Sequence, residues 1–193
     1  GLDFKVSYYQ QGNVKLTEVY RSLSPLKVEV YDSVSNNLPY YVMFKVDLLS
    51  DTGYTLSTEN PLWSNLLQNR QFVSGKDYDL NGFRFKLTIN SQNVSSIQNE
   101  LLFQVNDLQA LANHYAGSLD VSPYIQGASA LSLKLSGPLP EKDKEFLNAH
   151  MVTYRKTNLA IKNTNAINTL NFIDEQLAQI SDSLSFVEGR LED

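Results

Sequence analysis

The residue types that do chemistry in proteins are sparse in this chain of 193 residues. It has two histidines, His114 and His150, and no cysteine. Without cysteine there can be no disulfide framework, thiol nucleophile or thiolate zinc site. Two histidines so far apart make no His-based metal motif, and both lie in stretches expected to be helical. Asp51, Asp77, Asp79 and Asp107 fall in expected turns, where a carboxylate ordinarily accepts backbone N–H groups. Paired carboxylates could support glycoside hydrolysis, but the sequence brings no pair together. Trp63 follows Pro61 in an expected loop; it could stack on a sugar, although a lone tryptophan more commonly anchors a core. Asn93-Val94-Ser95 fits a glycosylation sequon, a pattern frequent by chance. Gly75-Lys76 is followed by Asp77 and has Arg70 where a phosphate loop needs its first glycine, so it cannot cradle phosphate. Dinucleotide, nucleophile-elbow and His-Glu-x-x-His patterns are absent. The expectation is a chain without catalytic, cofactor-binding or metal-binding residues, and not an enzyme.

Composition narrows the class further. Hydrophobic residues make up 42% and aromatics 11%, enough to build a core, while charged residues are only 19%. A net charge of −5 argues against a nucleic-acid partner recognised through phosphate contacts. No apolar run approaches the ~20 residues of a membrane span, and no signal peptide is visible.

Two kinds of sequence are joined end to end. Residues 1–137 read as a β-rich body, an antiparallel sheet or sandwich, and 138–193 as a helical segment; the fold class is α+β. Phe4, Val6 and Tyr8 alternate with polar neighbours, Gly12 marks a turn, and 14–20 returns as a hairpin partner. Further strands are expected at 26–31, 41–49, 54–57, 70–73, 83–89 and 101–105, set apart by clusters such as Asn60-Pro61 and Asn81-Gly82. Asp107 can cap a short helix near 108–116, ended by Gly117. A last strand is expected at 131–135, and Pro140 suits the first turn of a helix whose start carries Glu141, Asp143 and Glu145.

The strongest pattern lies at the C-terminus. Leu170, Ile173, Leu177, Ile180, Leu184, Val187 and Leu191 keep a strict 3-4 spacing, preceded by Ala166. That is a heptad seam, leucine at a and Ile or Val at d, expected to make a truncated coiled coil from about 166. Ala166 to Leu191 as one helix would run about 40 Å. Phe172 and Phe186 lie outside the seam. The heptad is still running at Asp193, so the expected partner helix comes from another chain or from a segment outside this sequence. An ordinary core-facing helix is the competing reading.

The C-terminal third also resembles a known family. Its residues are the strand at 131–135, Pro140-Glu141-Lys142, Leu147-Asn148-Ala149, Tyr154, Lys162-Asn163, the run from Asn168 to Leu177, Ile180-Ser181-Asp182-Ser183-Leu184, Glu188 and Leu191. Val6-Ser7-Tyr8-Tyr9, Gly12, Glu18-Val19-Tyr20 and Ser24-Pro25 add to it. Together they resemble the chain-length determinant (Wzz-type) polysaccharide co-polymerases, especially the tyrosine-kinase-fused members of capsule and exopolysaccharide export. The likeness covers about 1–30 and 130–193; 31–105 matches only as a β-rich insertion. It implies a periplasmic domain of a bacterial inner-membrane protein, held between two membrane helices. Its long helix would form a homo-oligomer, and its non-catalytic work would be polysaccharide chain length and export. Implied partners are a second copy, the polysaccharide, and the export or polymerase machinery, with membrane contact only through segments outside this sequence. The membrane helices, the proline-rich stretch, the kinase motifs and the tyrosine cluster of that family do not occur here, which leaves open whether the parent carries a kinase. The alternative reading is a carbohydrate-binding module that uses the β-rich middle and Trp63.

Overall fold

The computed structural model describes residues 3–12, 15–31, 37–90, 100–125, 127 and 130–189, with side chains described through Asp182. Among the described residues, eleven strands and three helices follow one another, and the α+β class is what the structure shows. The chain divides into two units, Gly1–Leu147 and Asn148–Asp193.

The first unit is built from short antiparallel pairings. β1 (Val6–Gln11) and β2 (Leu16–Val19) form the expected N-terminal hairpin. β4 (Met43–Leu48), β5 (Gly53–Ser57), the two-residue β6 (Phe72–Val73) and β9 (Glu100–Val105) complete a six-stranded sheet in the order β2-β1-β9-β4-β5-β6. β3 (Leu26–Val30), β8 (Phe83–Ile89) and β7 (Asp77–Leu80) form a second sheet in the order β3-β8-β7. The tight β7–β8 turn is made by Asn81 and Gly82, at φ 53° and 92°, the left-handed pair that matches the twist of the flanking strands. Gly82 N–H donates to the Asp79 carboxylate at 2.8 Å, which fixes the turn.

Period-2 patterning decides what is buried. In β8, Phe83, Phe85, Leu87 and Ile89 point inward while Arg84 is exposed, and in β4 Phe44 and Val46 do the same. Side chains from both sheets meet in one core. Phe44 stacks on Phe103 and Phe83 at centroid distances of 5.2 and 6.0 Å. Each such side chain is worth about 1.5–3 kcal/mol when withdrawn from water.

Several expectations shift here. The loop expected around Pro61 is a helix, α1 (Pro61–Leu67), with the Asn60 side chain accepting from the N–H groups of Leu62 and Trp63. Asp77 and Asp79 lie within strand β7 rather than in turns. The strand expected at 70–73 contracts to β6, because the chain first turns out of α1. Asp107 caps α2 (Leu108–Ser118) as expected, but Gly117 does not end it. The strand at 131–135 appears as β11 (Leu131–Lys134) in a ribbon with β10 (Asp120–Pro123), which the sequence reading did not anticipate. The sequon at Asn93 lies outside the described residues. Last comes α3 (Pro140–Gly189), 50 residues with proline at its start and about 75 Å of helical rise.

Tyr54 is fully buried, and among the described residues its hydroxyl is the one buried side-chain polar atom without a hydrogen-bond partner. Burial pushes this phenol up, so the folded state resists its ionisation. Stability owed to the neutral phenol is present below pH ~10, the unfolded tyrosine value, and falls as the pH rises above it. Tyr54→Phe removes an unsatisfied hydroxyl. Urea unfolding should show it as stable as the parent or more so, by up to about 1 kcal/mol, with a shallower decline above pH ~10.

Candidate functional site

Two features stand out: the fastening at the start of α3 and the stripe along its exposed length. The first belongs to the body. Lys142 reaches from the first turn of α3 to the β1–β2 hairpin, where its ammonium lies 2.7 Å from a Glu18 carboxylate oxygen and donates to Ser7 Oγ at 3.3 Å. Both side chains are well shielded, 14% exposed for Lys142 and 17% for Glu18. The ammonium also lies 5.6 Å from the centre of the Phe4 ring, a cation–π contact. Buried Asn106 donates to Ser7 Oγ and to the Phe4 carbonyl, so the polar groups under the helix are joined.

A second set of bonds lies about one helical turn further along. The Tyr20 hydroxyl donates to Glu145, whose other oxygen pairs with Arg21 Nη2 at 2.5 Å. Hydrogen bonding to that carboxylate, above all, raises the ionisation of Tyr20 above the ordinary phenol value. Phe146 stacks on Tyr115 of α2 at 4.3 Å, and Tyr115 stacks in turn on Phe4. Burial, then the nearby Asp143 and Glu18 carboxylates, push the Tyr115 phenol up to about 12. Asp143 fits only because residue 137 is glycine: a Cβ there would meet its carboxylate oxygens at 2.6 and 2.8 Å. A cavity of about 190 Å³ beside these groups is lined in part by His114 and Ser118.

Beyond this fastening, α3 displays its side chains to solvent. From 151 to 182 every residue is exposed except Asn158, which is half-buried. Leu170 is 60% and Ile180 64% exposed, and Ile173 and Leu177 lie between them in the same condition. The seam residues Leu184 and Val187 lie beyond the described side chains, and Leu191 lies outside the described residues. Val152 and Leu159, also exposed, continue the stripe backward in seven-residue steps from Ala166. The sequence reading began the seam at 166 and missed them. Their spacing carried the signal, but polar Lys156 and Asn163 break the alternate positions. Phe172, outside the seam, is exposed as well.

The residues singled out for chemistry are dispersed. Trp63 is 6% exposed and packs edge-on against Phe44 and Phe83 at 6.2 and 5.7 Å. Buried in this way, it anchors the core, the commoner of its two expected roles, and the alternative reading of it as a stacking platform for sugar is corrected. His114 lies on α2 against Tyr115, and His150 on α3. Asp77 accepts from the Tyr31 hydroxyl, and Asp107 and Asp79 serve backbone N–H groups. Asp51 is exposed in a bend. Among the described residues, no three His, Asp or Glu side chains could hold a metal, and no helix is long and apolar enough to cross a membrane. No protein-family model matches the chain, and no curated protein matches it.

Cutting the fastening on one side strands its partner. Lys142→Met leaves Glu18 shielded without its cation, and unfolding free energy should fall by about 2–4 kcal/mol. Adding Glu18→Leu should return most of that loss in a double-mutant cycle read by urea unfolding; additive losses would show that the pair is not coupled.

Proposed function

We propose that this chain is a non-catalytic scaffold and oligomerisation domain. In this reading it belongs to a membrane-anchored protein, of the chain-length determinant type, that governs polysaccharide chain length and export from the periplasmic side of a bacterial inner membrane. The observation that carries the reading is the apolar stripe of α3, exposed from Val152 to Ile180. Each leucine or isoleucine withdrawn from water contributes about 1.5–3 kcal/mol, so a seam of this length favours a partner helix. The 3-4 spacing suits coiled-coil packing against a second copy. The absence of a nucleotide-binding or nucleophile motif in the sequence accords with a structural role. The resemblance of 1–30 and 130–193 to the chain-length determinants is what directs this reading to polysaccharide.

Association of the chain alone is expected to be weak, because asparagine and threonine lower helix propensity along α3 and no tether raises the local concentration. Sedimentation equilibrium should find a monomer or loose oligomer at micromolar concentration. Association should strengthen with concentration and be abolished by Leu177→Asp, with the fold of the body unchanged. Association that survives Leu177→Asp would place the contact on the β-rich body. In the membrane-anchored parent, Leu170→Asp with Leu177→Asp should alter the length distribution of the exported polymer on gels. An unchanged distribution would overturn the assignment.

A further inference from the structure

The β6 edge of the six-stranded sheet ends early and leaves an opening. β6 pairs with β5 only at Gly53 and Tyr54, so among the described residues 55–57 have no strand on that side. Between this edge, α1 and the turn that follows it lies a cleft of about 630 Å³. That volume is within the ~300–1,000 Å³ usual for small-ligand sites. Its lining residues include Asn65, Gln68, Asn69 and Gln71, with Ser64 and Arg70, all of them exposed, and no Asp or Glu is among them.

We propose that this cleft binds an oligosaccharide bearing acidic groups. A carboxamide offers an acceptor and two donors in one plane, which suits neighbouring hydroxyls that both give and take hydrogen bonds. A guanidinium suits a carboxylate, which it can meet through two parallel bonds. An apolar ligand would strip water from four amides and return nothing for it. A peptide adding to the sheet fits less well, because three free residues fall short of the about five or six of an ordinary strand. The frame is set before a ligand arrives. Asn60 caps α1, and Trp63 and Leu67 pin it to the core. Asn69 takes the left-handed conformation at φ 58°, and Arg70 N–H donates to the Leu67 carbonyl at 3.1 Å, closing the turn. The polar lining side chains are exposed, and ordering them on a ligand costs affinity, so binding is weak and salt-sensitive. Choosing a polysaccharide as the source of the ligand rests on the scaffold reading above.

The test is an NMR titration of the whole chain with a hyaluronan hexasaccharide, which carries glucuronate, and with neutral maltohexaose. Saturable shifts of the Asn65, Gln68, Asn69 and Gln71 side-chain amides by the acidic probe are expected. Arg70→Gln should weaken the acidic probe about tenfold while changing the neutral one by less than about twofold, whereas Gln68→Ala should weaken both. Still amides at saturating probe, shifts that map to another face, or capture of an extended peptide along residues 55–57 would each overturn the site. Assembly through α3 is measured separately. A silent cleft therefore leaves the scaffold reading standing, and loss of assembly leaves a saturable cleft standing.

Discussion

Water does not favour a helix that holds an apolar stripe against it, and that constraint governs what this molecule can be. Helices in proteins draw most of their stability from packing one face, not from propensity. Along 151–182 of α3 that packing is absent, while Asn163, Asn165, Asn168 and Asn171 favour caps and turns over a helix interior. The start of the helix is secured by Lys142 on Glu18 and Ser7, by Glu145 on Tyr20 and Arg21, and by Phe146 on Tyr115. A secured start nucleates the helix, since each further residue adds a hydrogen bond to a turn already formed. It does not hide Leu170 or Ile180. In the scaffold reading proposed above, a partner helix does that.

The same fastening explains where the two units divide. The sequence changes character at residue 137, where the β signals stop and the helix signals begin. In the structure the first two turns of α3 still belong to the body, through Lys142, Asp143, Glu145 and Phe146, and the division falls after Leu147. A composition change marks where secondary structure changes; a unit boundary marks where packing ends. Those need not coincide when a helix starts on a core and continues past it.

What could be read from sequence followed the strength of local patterning. β8 was legible to its ends because alternation is unbroken from Phe83 to Ile89 and a left-handed Asn-Gly turn precedes it. The start of α3 was legible because proline suits only that helical position, and α2 because Asp107 is a capping residue. The helix at Pro61 was not legible although Asn60-Pro61 is itself a cap followed by a first-turn proline, because a run of seven residues is too short to show helical periodicity. β7 was misread because Asp77 and Asp79 suggest turns, yet on an outer strand their side chains face solvent while Leu80 faces the core. The fastening was not legible at all. Ser7, Glu18 and Lys142 are ordinary residues far apart in the chain, and only the fold brings them together. The cleft beside β5 was hidden for the same reason, since its amides are unremarkable until α1 and the β5 edge are placed.

If α3 beyond its fastened start is stabilised by a partner helix, its amides will show it. Amide hydrogen exchange of residues 151–182 on the intact chain, over a range of protein concentrations, is the experiment. Fast exchange across this stretch is expected in dilute solution, with slow exchange in the core strands β4, β8 and β9 and protection of 151–182 that grows as the protein is concentrated. Protection of the stretch as strong as that of the core, in a monomer and independent of concentration, would contradict that stabilisation.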